Sequence, residues 1–313
     1  MPAQKGETGI GDLRRSAFAA PVRGMMVDSH RHRATGTAFA ACGRGHVNQD
    51  SPVGGGATAN WSYRSATHSP PYSEFARLYD EATGFATYPV VRDAVDRSLA
   101  RYRPQPRIAA DVGCGTGLLL PYLASVAERI YAVDRSPAML GLARARSEHL
   151  PVTLLRQDLR CLSLPEPVDL ITCTFDTLNY LLSAADLARA LQSFRRNLVA
   201  GGLLVFDLVT GAAWQGAPLR LVQRLRRPAF VATWRIRTRP ARRLSIVEIC
   251  IRDLRQATTL PGRREVHVQR WYPLALVREL TRRAGLTVRE VRDLDGDRRA
   301  TAASHWVHVV ATR

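Results

Sequence analysis

Between positions 111 and 117 the chain reads Asp-Val-Gly-Cys-Gly-Thr-Gly, and a further carboxylate follows at Asp134. Gly113, Gly115 and Gly117 supply a turn that a ligand can approach closely. A carboxylate about 20 residues beyond such a turn can accept two hydrogen bonds from a ribose diol. The chemistry implied is the binding of a nucleoside. A dinucleotide site wants G-x-G-x-x-G, which puts its third glycine at position 118; Leu118 stands there and the glycine comes one residue early, which argues against NAD. The plainer alternative is a glycine turn that only joins a strand to a helix, and the flanking Asp111 with the distal Asp134 weighs against it.

These residues need elements to position them. Arg107-Ile-Ala-Ala-Asp-Val112 has the apolar character of a buried strand. Leu118, Leu119, Leu120, Leu123 and Val126 predict a helix after the glycines, and Ile130-Tyr-Ala-Val-Asp134 a second strand. Strand signals at about 107–113, 130–134, 152–158, 168–175 and 203–209 alternate with helical segments, the pattern of a parallel α/β sheet. In such a sheet the ligand lies beyond the carboxyl ends of the strands. The fourth strand is followed by Asp176-Thr-Leu-Asn-Tyr180. A helix then opens at Ser183 with Asp186, carries Leu187, Leu191, Phe194 and Leu198 on one face, and is expected to end at Gly201-Gly202. Phe230 to Thr238 and Leu244 to Asp253 read as antiparallel strands around a turn at Pro240 to Arg243, with a third strand carrying His267. Pro273 can open the last helix, with Leu276, Val277, Leu280 and Ala284 facing the core and Gly285 ending it. Strand-like runs from Leu286 and from His305 to Val310 close the chain.

With the D-x-G-C-G-T-G turn, the distal Asp134 and the order of elements in hand, the sequence from about Tyr72 to Arg313 resembles the class I S-adenosylmethionine-dependent methyltransferases. The resemblance implies a Rossmann-like seven-stranded, mostly parallel sheet with helices on both faces, its last strand reversed, and a small antiparallel insertion before the last helix. It implies S-adenosylmethionine as cofactor. Gly113, Gly115 and Gly117 would line its methionine moiety, Asp134 would hold the ribose, and Asp158 would bond the adenine amino group. Asp111, Arg135, Met139, Leu159 and Thr174 complete the cofactor set, and no metal is implied. Tyr72-Ser-Glu-Phe-Ala-Arg-Leu-Tyr79-Asp80 resembles the Y-x-x-F-A-x-x-Y-D opening of small stand-alone members, in which the leading helix is a lid. Phe175 to Tyr180 resembles their F-D-S-L-N-Y string beside the acceptor, and His267, Arg270 and Tyr272 their H-x-x-R-x-Y junction. Candidate catalytic residues are therefore Asp176, His267 and Tyr180. Candidate acceptor contacts are Tyr72, Tyr79, Asn179, Arg270 and Tyr272.

A chain of 313 residues with 46% hydrophobic content supports one large core. The expected division is a disordered extension over 1–70 and one methyltransferase domain over 71–313. Within that domain a lid helix spans about 72–102, a cofactor core 107–209, a cover insertion 229–272 and a C-terminal part 273–313. The apolar patch Ala17 to Val22 is too short to cross a bilayer. The five cysteines form no C-x-x-C pair, so neither a zinc site nor a disulfide framework is expected, and a reducing cytoplasm is the simplest compartment. The formal charge is +18, with Lys5 the only lysine. Fourteen arginines face three acids between Arg220 and Arg270. That segment reads as a solvated face or an anion-binding cover. The expected partner is a small-molecule acceptor methylated on nitrogen or oxygen. RNA held by the arginine-rich insertion, or a silent nucleoside binder, are the alternatives; the sequence says nothing about oligomeric state.

Overall fold

Apolar strands five or six residues long dictate a sheet covered on both faces. In the computed structural model, which describes residues 69–102, 105–214, 219–225, 230–255, 262–294 and 298–313, they are β1 (Ile108–Val112), β2 (Arg129–Asp134), β3 (Val152–Arg156) and β4 (Val168–Cys173). With β5 (Leu198–Val209) they pair in parallel. Every residue of β1 is buried, as expected of a strand with helices above and below. Two C-terminal strands, β10 (Thr287–Asp293) and β11 (Trp306–Thr312), complete a seven-stranded sheet of order β10-β11-β5-β4-β1-β2-β3. β11 is antiparallel to both neighbours. The strand order reverses between β1 and β4, and at that point their carboxyl ends leave a crevice.

Among the described residues the α-helices are α1 (Ala76–Tyr79), α2 (Phe85–Tyr102), α3 (Leu120–Val126), α4 (Pro137–Arg146), α5 (Ala184–Asn197) and α6 (Leu274–Arg283). One face of the sheet packs Leu187, Leu191 and Phe194 of α5 and Val277 of α6. The other packs Val95 and Leu99 of α2, Leu120 and Leu123 of α3, and Ala143 of α4. A single π-helical turn, Asp80–Gly84, joins α1 to α2, an irregularity that recurs at functional sites.

A second, antiparallel sheet has the order β6-β7-β8-β9, from Leu219–Leu225, Phe230–Arg239, Leu244–Asp253 and Arg263–Arg270. Alternation along β7 buries Phe230, Ala232, Trp234 and Ile236. Phe75, Leu78 and Ala82 of the leading segment meet Phe230, Trp234, Ile249 and Ile251 in one apolar cluster, so the lid and the cover share a core. Phe75 sets its ring edge-on to Trp234 at 5.9 Å between centroids.

Two expectations need correction. The helix after β4 stops at Asn197 rather than at Gly201-Gly202, because Leu198 already turns extended and pairs with Val168; both glycines lie inside β5. The insertion has four strands rather than three and starts near Leu219 rather than 229, since Leu219 to Leu225 pairs residue for residue with Ile236 to Phe230. The expected extension over 1–70 lies almost wholly outside the described residues.

Candidate active site

The glycine turn is fixed against the sheet by backbone bonds. The Gly113 and Cys114 amides donate to the Val133 carbonyl at 2.7 and 3.0 Å. Gly113 has φ +77, and a Cβ there would stand 2.4 Å from the Thr177 side chain, so both conformation and space demand glycine. Gly115, at φ +54, has nothing within 4 Å of its Cβ position: that side of the turn opens on a cavity. Asp134, at the end of β2, accepts the Gly115 amide at 3.0 Å on one oxygen and the Ser136 amide at 2.8 Å on the other. Burial pushes this carboxyl up, against those two donors. Lone pairs remain on both oxygens for a diol. Ser136 caps α4 by accepting the Met139 amide, and its hydroxyl donates to the Tyr72 carbonyl at 3.0 Å, which ties the lid to the nucleoside end. Asp80 ties it a second time, accepting from Thr116 Oγ1 at 2.5 Å and from Arg146 at 2.6 Å.

The cavity measures about 860 Å³ and runs from this turn to the face of the second sheet that carries Ile246, Val266, Val268 and Arg270, the face opposite that of Glu265 and His267. Its nucleoside end is walled by Gly113, Gly115, Asp134, Arg135, Met139, Asp158 and Leu159. Its far end is walled by Tyr72, Tyr79, Tyr180 and Arg270, with Arg239 and Arg242 from the cover. At the far end, hydrogen bonds link four side chains. Tyr72 Oη lies 2.7 Å from Tyr180 Oη, Tyr180 Oη lies 2.8 Å from His267 Nδ1, and His267 Nε2 lies 3.0 Å from Glu265 Oε2. Burial holds both tyrosine hydroxyls well above their ordinary range, so they stay protonated. Burial also acts to raise the Glu265 carboxyl, but bonds from His267 and from the Phe75 and Glu74 amides outweigh it and leave the group below its usual range.

Several sequence-derived candidates fall elsewhere. Asp176 is not part of the cavity wall, though its charge acts on Tyr72, Tyr79 and Tyr180 that form it: its Oδ2 accepts Gln269 Nε2 at 2.6 Å, and burial pushes the carboxyl up to about 7. That bond braces β9. Phe175 and Asp176 are both left-handed, at φ +57 and +53, and the buried Asp207 carboxylate accepts both amides at 2.8 and 2.6 Å. Asn179 is fully buried and spends its amide on Val209 and on the Arg270 carbonyl, so it knits β5 to β9 instead of touching substrate. Tyr272 is likewise buried, its hydroxyl on the Leu181 and Ser183 carbonyls. Asp111 accepts from Thr172 inside the sheet; it supports the turn from behind, and neither Gly117 nor Thr174 lines the cavity. Asp158 is at the cavity, but its carboxylate already holds Arg160 in a fork at 2.9 and 2.6 Å, and that guanidinium keeps its pKa below the usual carboxylate range. His267 reaches the cavity only through Tyr180. The residue that sequence reasoning passed over is Glu265, counted only as one of three acids in a basic segment; its place two positions before His267 on an alternating strand is its trace in the sequence.

A topological switch point with a glycine turn, a ribose-type carboxylate and a lid over it defines a nucleoside-binding α/β domain. Residues 109–202 match the family described as "Methyltransferase domain". A dTDP-3-amino-3,6-dideoxy-alpha-D-glucopyranose N,N-dimethyltransferase of Streptomyces fradiae is 32% identical over 151 residues, 47% of this chain and 58% of that one. A cypemycin N-terminal methyltransferase of Streptomyces sp is 27% identical over 75% of this chain and 98% of that one. Among solved structures, an S-adenosylmethionine-dependent methyltransferase from Clostridium acetobutylicum ATCC 824 superposes with a TM-score of 0.67 at 22% identity, over 77% of this chain and 98% of that one, a likeness of fold. The chain spans just over half the length of the first curated relatives it matches, 57%, 58% and 55%. Residues 109–202 thus carry a methyltransferase domain, set in a fold shared with S-adenosylmethionine-dependent methyltransferases. The residues present fit that cofactor: Gly115 leaves its space open, Asp134 retains acceptors for a diol, and Met139 and Leu159 offer an apolar bed.

Proposed function

We propose that this chain transfers a methyl group from S-adenosylmethionine to the amine nitrogen of a small-molecule acceptor, of the amino-sugar kind named for the Streptomyces fradiae relative. The observation that carries the reading is the Tyr180–His267 hydrogen bond, which ends at the same cavity as the glycine turn. An amine reaches neutral solution largely as an ammonium ion and must lose a proton before its lone pair can attack. A hydroxyl backed by an imidazole is suited to take that proton. Arg239, Arg242 and Arg270 on the cover wall favour an acceptor that carries phosphate.

When bound, S-adenosylmethionine would supply an electrophilic methyl on a sulfonium, transferable in line to the nitrogen with S-adenosylhomocysteine as the leaving group. The chain's own residues position and dry the site. Asp134 orients the nucleoside, while Tyr72 and Tyr79 close the far end against water. Alignment of this kind is worth effective molarities of about 10⁵ M or more. Tyr180 accepts the acceptor's proton as it passes its own hydroxyl proton to His267 Nδ1, and the resulting imidazolium is balanced by Glu265.

The test is calorimetric titration with S-adenosylmethionine and S-adenosylhomocysteine, NAD serving as control, followed by an acceptor screen. Binding of the first two without NAD, and methyl transfer to amines ahead of their hydroxyl analogues, is the expected outcome. Transfer to a peptide α-amine in place of a sugar would move the acceptor towards the second relative, which this chain covers almost end to end.

A further inference from the structure

Glu265 is fully buried on the inner face of β9 and makes more polar contacts than any tyrosine of the site. Its Oε1 accepts the Phe75 amide at 2.8 Å, the Glu74 amide and the Ser73 hydroxyl; its Oε2 accepts the Tyr72 amide at 2.8 Å and meets His267 Nε2 at 3.0 Å. Ser69 forms a bridge to the same residue, its amide donating to the Arg264 carbonyl. The start of the lid, residues 72–75, therefore docks its amides and the Ser73 hydroxyl on this one carboxylate. Tyr72 sits there in the left-handed region at φ +60, unusual for a non-glycine residue. Its ring lies edge-on to His267 at 4.7 Å between centroids.

A carboxylate only accepts hydrogen bonds. Nε2 of His267 must then carry the proton, and in the single-proton tautomer this requires, Nδ1 is the acceptor. Tyr180 donates to Nδ1, and Tyr72 in turn donates to Tyr180. One buried charge sets the direction of every bond in the chain, and the same charge holds the lid whose Tyr72 completes it. We propose that Glu265 is a positioning residue that makes proton acceptance conditional on lid closure: it fixes the His267 tautomer and clamps residues 72–75 with the same two oxygens. No step of transfer occurs at Glu265 itself; it balances the imidazolium after the proton has arrived. The groups facing it are His267, the lid amides and the Ser73 hydroxyl, with Tyr72 and Tyr180 one bond away.

This inference rests on the amine-methylation reading for its catalytic consequence only, so it is tested first without turnover. Nitrogen NMR of the unaltered protein with S-adenosylhomocysteine should find His267 protonated at Nε2; an Nδ1-protonated ring would overturn the proposal without any variant. In Glu265→Gln, the Tyr72, Glu74 and Phe75 amides should exchange about tenfold faster as the clamp loosens. Unchanged protection in a folded variant would also overturn it. With an amine acceptor, E265Q should lose about a hundredfold in kcat. Tyr180→Phe should lose kcat while keeping full lid protection; loss of protection in Y180F would show that the relay and the clamp are not separable as described. If the wild type methylates no amine, the proposed function fails, while the tautomer and exchange measurements still decide the part played by Glu265.

Discussion

The two ends of the cavity are built by opposite means. The nucleoside end is made of backbone: a turn in left-handed conformations, two amides on Val133, and one carboxylate 19 residues from the Gly115 amide it accepts. The acceptor end is made of side chains from three distant stretches, Tyr72 on the lid, Tyr180 after β4, and Glu265 with His267 on the cover. The first can be written as a short motif because local geometry dictates it. The second exists only once the cover sheet has folded over the lid.

Removing the shared core of lid and cover should separate the two ends most sharply. Trp234 is 4% exposed and contacts Phe75, so Trp234→Ala should cost about 3–5 kcal/mol of stability where the lid meets the cover. Thermal melts should fall while S-adenosylhomocysteine affinity at the glycine turn changes by less than about tenfold. An equal loss of both would mean that the two ends are one unit.

Next in size is the acceptor end's chemistry. His267→Asn should lower kcat with an amine acceptor by about a hundredfold or more, as expected for loss of a general base. Cofactor affinity should stay unchanged by calorimetry. The mirror experiment is Asp134→Asn, which weakens the charged acceptor of the Gly115 and Ser136 amides and of a bound diol. Loss of hydrogen bonds to a charged group costs about 1.5–3 kcal/mol, so S-adenosylhomocysteine should bind roughly ten- to a hundredfold more weakly, read in the same titration.

The smallest effect concerns the support behind the turn. Burial pushes the Asp111 carboxyl up to about 7, whereas in the unfolded chain an aspartate ionises near ~3.9. Between those values the folded state keeps a proton that the unfolded state has lost. Stability contributed by the neutral group is thus present at low pH, falls as pH rises through that window, and is gone above it. Asp111→Asn removes the titration, so its melting temperature relative to wild type should rise between pH 4.5 and 7.5; a constant difference would contradict the shift.

How much of this was legible in the sequence follows from the same contrast. The parallel strands, the glycine turn, Asp134 and the Ser183 cap are each specified by residues within a few positions of one another, and the sequence reading located all of them. For Asp176 and Asn179 the motif gives spacing along the chain, not the direction of a side chain. In the fold, the left-handed pair Phe175–Asp176 turns those groups towards β9 and β5. Glu265 was passed over for a related reason: its partners are about 190 residues away at the lid, and nothing local marks a carboxylate that will be buried. The strand Leu219–Leu225 likewise becomes a strand through its pairing with β7.

The central claim is that one cavity joins a nucleoside turn to a proton acceptor for an amine. Mass spectrometry tests it most directly, on matched sugar nucleotides that carry an amine or only a hydroxyl at the reacting carbon, each incubated with the enzyme and S-adenosylmethionine. The account predicts a methyl gain on the amine alone, with one S-adenosylhomocysteine formed per methyl, lost in His267→Asn. Transfer to the hydroxyl compound with equal efficiency, or amine methylation undiminished in that variant, would contradict it.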